Sequence, residues 1–136
     1  MSLRMIRITA GPLVFRARFE EAAPRTVAAF RALLPYRQTL IHGRWSGEAG
    51  WIPLGEFRLD VGAENATSRP APGQILFYPG GISETEILFP YGESRFACKD
   101  GPLSGNHFVS VVDGPLPELG RLLLQKGAQP IAFEAL

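Results

Sequence analysis

The 136-residue chain has a single cysteine, Cys98. That excludes an internal disulfide framework and a zinc site built from cysteines. No apolar run approaches the ~18 residues of a membrane-spanning helix, so no membrane partner is expected. Charge of one sign is also missing. Fourteen Lys and Arg stand against 13 Asp and Glu, a net charge of +1, and no run of like charge forms a tail. A nucleic-acid protein ordinarily carries a basic stripe, so nucleic acid is not an expected partner. Met1–Ile8 alternates and contains Arg4 and Arg7 instead of the continuous apolar stretch of a secretory leader. A cytoplasmic location is the resulting expectation. Histidines are scarce: His42 and His107 are the two, neither with a partner at ligand spacing, so no metal and no cofactor is expected. No nucleophile elbow surrounds Ser46 or Ser83, and Gly80-Gly81 lacks the lysine of a phosphate loop.

Turn-making residues, in contrast, are plentiful. The 15 glycines and 12 prolines make up about a fifth of the chain, against ~12% in average usage and ~25–30% in disordered segments. The hydrophobic share of 46% is that of a packed domain, and the length fits one domain spanning 1–136. Leu13–Phe19 alternates with period two, placing Leu13, Phe15, Ala17 and Phe19 on one face, and pairs with Met5–Ala10 across Gly11-Pro12. Pro24–Leu34 switches to helical period, with Val27, Phe30, Leu33 and Leu34 on one side. Pro24 suits its first turn and Pro35 ends it. Short strands are predicted at Thr39–Trp45, Trp51–Leu54, Glu56–Val61, Gln74–Tyr78, Glu84–Phe89, Ser94–Lys99, His107–Val112 and Ile131–Phe133. A second helix is predicted over Leu116–Lys126, with Gly127 just past its end. Many short strands and two helices imply a mainly β fold: a closed antiparallel barrel of about eight strands with two short peripheral helices, closure protecting the strand edges.

Several stretches resemble cyclophilins. Phe15-Arg16-Ala17-Arg18-Phe19 followed by Pro24-Arg25-Thr26 and Phe30-Arg31-Ala32-Leu33 is similar to their opening strand and helix. Ser94–Cys98 resembles a later strand, and Leu103-Ser104-Gly105-Asn106-His107-Phe108-Val109 resembles the histidine-bearing strand. Gly73–Gly81 is similar to a hairpin of small bacterial cyclophilin-like proteins of unknown function, the group this chain most resembles. The resemblance implies a cyclophilin-like barrel. It implies prolyl isomerisation only in part. Arg44 stands near the position of the family's arginine but displaced by Gly43, no glutamine follows it, and Pro102 occupies the place of the pocket tryptophan. His107 alone carries over, which leaves a divergent isomerase as the alternative enzyme reading.

The residues' own chemistry points elsewhere. Arg44-Trp45-Ser46-Gly47-Glu48-Ala49-Gly50-Trp51 holds both tryptophans, with Gly43 alongside. Paired aromatics and close-approach glycines are the materials of a cleft wall. Arg44 supplies an anion-recognising fork. Glu84 and Glu86 share one strand face, with Arg95 on the next strand, and are placed to pair with an arginine or to bind a cationic ligand. The expected ligand site comprises Arg44, Trp45, Glu48, Trp51, Glu84, Glu86, Arg95 and His107. Its expected partner is a small molecule or short peptide. A homo-oligomer is expected through the tryptophan hairpin, with a non-catalytic interaction module as a further alternative.

Overall fold

A computed structural model describes residues 4–136. The chain runs β1 (Met5–Ala10), β2 (Leu13–Phe19), α1 (Pro24–Arg31), β3 (Tyr36–His42), β4 (Gly47–Gly55), β5 (Ala66–Thr67), β6 (Gln74–Tyr78), β7 (Thr85–Ser94), β8 (Ala97–Cys98), β9 (Gly101–Pro102), β10 (Gly105–Asp113), α2 (Leu116–Lys126) and β11 (Ala128–Ala135). Eight strands pair antiparallel in the order β2-β1-β11-β3-β4-β7-β6-β10, and β10 returns to β2. The result is the closed mainly-β barrel with two helices that the turn-rich sequence implied. β5 adds a short edge to β10, and β8–β9 form a separate two-stranded piece.

Alternation decides which side chains enter the barrel. On β2, Phe15, Ala17 and Phe19 are buried while Val14, Arg16 and Arg18 face solvent. The interior is filled by such residues from every wall, among them Ile6, Ile8, Leu40, Ile52, Ile75, Phe77, Ile87, Phe89, Phe108 and Phe133. The helices stop the two ends. α2 seats Leu119 and Leu123 over one of them. Its Gly120 lets Tyr91 approach, since a Cβ there would lie 2.4 Å from the Tyr91 ring. α1 covers the other end and inserts Phe30 among Phe19, Tyr36, Phe108 and Phe133, all edge-on at centroid distances of 5.0–6.5 Å.

Three local expectations are corrected. Glu56–Val61 is not a strand. Asp60 adopts φ 52°, which breaks the pleat, while Leu59 and Val61 drop into the core. Side chains hold this segment in place of a ladder: the Thr26 N–H donates to Glu64 Oε2 at 2.5 Å, and Asn106 Nδ2 donates to Thr26 Oγ1 and the Gly62 carbonyl. The strand expected at Thr39–Trp45 runs instead from Tyr36 to His42, because residues 43–46 form the turn into β4. α1 ends at Arg31, since the residue before a proline is driven from helical geometry and Leu34 precedes Pro35.

A second, smaller apolar cluster lies outside the barrel wall. Leu76 and Tyr78 of β6, Leu88 of β7 and Ala49 of β4 are roofed by Phe96 and Leu103, with Cys98 half-buried at the edge. Ser46 pins this roof, accepting from the Ala97 N–H and donating to its carbonyl. The roof buries part of the outer face of β4–β7–β6 as well as its inner face.

Candidate functional site

The eight residues singled out from sequence fall into three groups. Arg44 and Trp45 occupy the exposed β3–β4 turn, with Trp45 54% accessible. Arg95 joins them through its N–H to the Ser46 carbonyl at 3.0 Å. Glu48 sits nearby as a latch: its Oε1 accepts from the Glu93 N–H at 2.8 Å and rests against Gly92, where a Cβ would clash with it.

Trp51 of β4, Glu86 of β7 and Glu84, which the sequence placed in the strand but which lies just before it, form the second group. Trp51 stands opposite Leu88, Glu86 opposite Pro53 on one side and Tyr78 on the other. All of these face outward, toward the roofed cluster. Glu86 is 6% accessible, with the Trp51 indole beside it. A carboxyl in that position resists ionisation. Burial pushes the Glu86 carboxyl up to about 8, the neighbouring Glu84 charge adds to the rise, and the Trp51 indole N–H opposes it. That N–H lies near Glu86 without closing a hydrogen bond. It is the buried side-chain polar atom among the described residues that has no partner. A groove of about 550 Å³ adjoins the group, lined by Glu56, Arg58, Gly80, Gly81, Ser83 and Glu84 among others. Tyr78 braces the loop at one side of it, its hydroxyl oxygen accepting from the Ile82 and Ser83 N–H groups.

His107 belongs to a third group with two residues that the sequence reading missed. Its Nε2 lies 2.7 Å from Ser110 Oγ, and Ser110 donates to Glu20 Oε2 at 2.5 Å. Three residues apart on a regular strand, His107 and Ser110 would face opposite ways. A bulge prevents it: His107 pairs with Leu76 but Val109 with Ile75, so one extra residue restores both side chains to the outer face. Alternation in the sequence carries no sign of that residue. Only the polar character of Ser110 between Val109 and Val111 hints at it. The apolar roof on β6 and β7 stands between this group and Trp51.

Burial holds the His107 imidazole below its ordinary range and Arg18 adds to this, while Glu20 and a main-chain contact at Val109 work the other way. The ring is therefore neutral at pH 7. Unfolded histidine titrates near 6.5, so the unfolded chain binds the extra proton first and stability falls as pH drops below that value. Glu20→Gln is expected to lower the His107 titration midpoint further. Proton NMR of the two histidines checks this, and a midpoint that rises would refute the assignment.

Among the described residues, no three His, Cys, Asp or Glu side chains gather as a metal site, and no helix is long and apolar enough to cross a membrane. The strand pairing and the two helices together define a closed, mainly-β antiparallel barrel. The chain belongs to a family described as proteins of unknown function (DUF3830), whose profile matches residues 6–135. Comparison with curated proteins finds no match. Among solved structures, the chain is similar to McbB in complex with tryptophan, at 20% identity and a TM-score of 0.70, over 96% of this chain and 44% of McbB. It thus spans less than half the length of that protein. It is also similar to the hypothetical protein AF2241 from Archaeoglobus fulgidus, at 20% identity and a TM-score of 0.63, over 100% of this chain and 98% of that one. Likeness at this identity concerns the fold.

Proposed function

We propose that this protein is a small-molecule-binding member of the cyclophilin-like barrels, and that its ligand sits on the outer face of β4–β7–β6 against Trp51, Glu84 and Glu86. One observation carries the reading: the Trp51 indole N–H is buried without a hydrogen-bond partner, beside the buried carboxyl of Glu86. An unmet buried donor costs stability, on the order of 1–3 kcal/mol. Costs of this kind concentrate where a ligand completes the bonding. The groove beside Glu84 supplies room, and Arg44, Trp45 and Arg95 extend the same strands toward the other barrel end. That the McbB structure holds tryptophan lends support to a small organic occupant.

The isomerase alternative has less behind it. Arg44 lies where β3 turns into β4, whereas His107 lies near the start of β10, at the opposite end of the antiparallel wall. One arginine donor and one histidine so separated do not frame a single amide bond.

The test uses a Trp45→Phe variant, in which Trp51 is the sole tryptophan, screened by fluorescence and melting temperature against amines, acids, amino acids and short proline peptides. At least one small molecule is expected to change Trp51 emission and raise the melting temperature together. Response to peptides alone would assign the face to peptide binding, and silence across the library would end the proposal. Sedimentation of the same samples separates a ligand effect from self-association.

A further inference from the structure

We propose that the occupant of the Trp51–Glu84–Glu86 site is a small organic amine held as its ammonium ion, and that Glu86 releases a proton to solvent when the amine binds. The inference rests on the reading of this face as a binding site and adds the ligand's charge and the proton that accompanies it.

Charge decides the class. The neighbourhood holds Glu84 and Glu86, with Glu56 at the groove rim, against one cation, Arg58. An anionic ligand would bring another like charge to a pair of carboxyls that already disfavour each other. An ammonium ion removes the two influences that keep Glu86 protonated, supplying an opposite charge in place of low-dielectric surroundings and offsetting Glu84. The groups facing Glu86 agree. β4 offers the Trp51 N–H and the apolar ring of Pro53, β6 offers Tyr78, and the residues leading into β7 offer Glu84. Once ionised, the Glu86 carboxylate has acceptor sites enough for an ammonium N–H as well as for the neighbouring indole N–H, which has no partner in the free protein. A metal ion is the poorer occupant, since hard cations need six or more oxygen ligands and, among the described residues, no three His, Cys, Asp or Glu side chains stand close enough to hold one.

Proton balance is simple. The neutral carboxyl loses one proton to buffer, the ammonium enters with its charge, and the site becomes a carboxylate–ammonium pair. With Glu86 at about 8 in the free protein, binding at pH 7 releases about 0.9 proton per amine and at pH 8 about half a proton.

Phenethylamine is the probe, with 3-phenylpropionate as its anionic counterpart of similar body. Calorimetry in buffers of different ionisation enthalpy measures the protons released, and the Trp45→Phe variant reports occupancy at Trp51. Saturable phenethylamine binding is expected, at least tenfold tighter than 3-phenylpropionate, with proton release falling from pH 7 to pH 8. Glu84→Gln, a surface change that leaves folding intact, is expected to weaken binding about three- to tenfold. Glu86→Gln is expected to abolish proton release. If 3-phenylpropionate binds at Trp51 and phenethylamine does not, the amine assignment is overturned while the binding site stands. Amine binding without proton release overturns the role of Glu86. Silence at Trp51 for both probes and for the wider library overturns the inference together with the binding reading.

Discussion

Glu86→Gln is expected to stabilise the protein strongly at pH 9 and hardly at all at pH 5. The sign follows from which state holds the proton. In the unfolded chain Glu86 ionises near 4.5, and in the folded chain at about 8. Between those values the folded state keeps a proton that the unfolded state has lost, so stability declines steadily as pH rises. Below 4.5 the penalty is absent, and above 8 it is complete. The full span corresponds to about 4–5 kcal/mol, an upper bound because the site relaxes around the charge. Glutamine is neutral at every pH and removes that slope. At pH 9 its melting temperature should exceed the parent's by roughly 10 °C or more. Thermal melts of both proteins from pH 5 to pH 9 check this. Parallel curves would mean that Glu86 is an ordinary surface carboxylate.

Phe30→Ala carries the second large effect, through packing alone. Its ring is fully buried and meets Phe19, Tyr36, Phe108 and Phe133 at once, joining α1 to β2, β3, β10 and β11. No neighbouring backbone can collapse into the space, because four different elements meet there. A loss of about 3–5 kcal/mol is expected from chemical denaturation, with α1 loosened first. Phe30→Leu should recover more than half of it. A loss below ~1 kcal/mol would mean that α1 does not close this end of the barrel.

The barrel was legible because its signals are local and periodic. Leu13–Phe19 alternates without interruption, Pro24 and Pro35 bracket the first helix, and Pro117 and Gly127 bracket the second. The segment 56–61 misled because its alternation is real in the sequence but is overridden by hydrogen bonds from Thr26 and Asn106, 30 or more positions away along the chain. The glycines around the tryptophans drew attention as cleft-forming residues. The structure gives them packing and turn roles: Gly47 adopts φ 84°, and a Cβ at Gly50 would strike Leu40 and Leu123. Glu84 and Glu86 were recognisable as a same-face pair, yet their opposite fates were not. Glu86 is buried because Pro53 of β4 and Tyr78 of β6 flank it, and no local pattern announces which strands will be its neighbours. The Glu20–Ser110–His107 group was hidden for a related reason, since a single bulged residue inverts the facing of everything beyond it.

The most direct test of the account is the protonation of one side chain. Carbon-13 NMR of the Glu86 carboxyl, assigned by comparison with Glu86→Gln, follows its titration in the free protein and with saturating phenethylamine. The account predicts a midpoint of about 8 without the amine and a marked downward movement with it. A midpoint near 4.5 in the free protein, or one near 8 that the amine leaves unmoved, would contradict it.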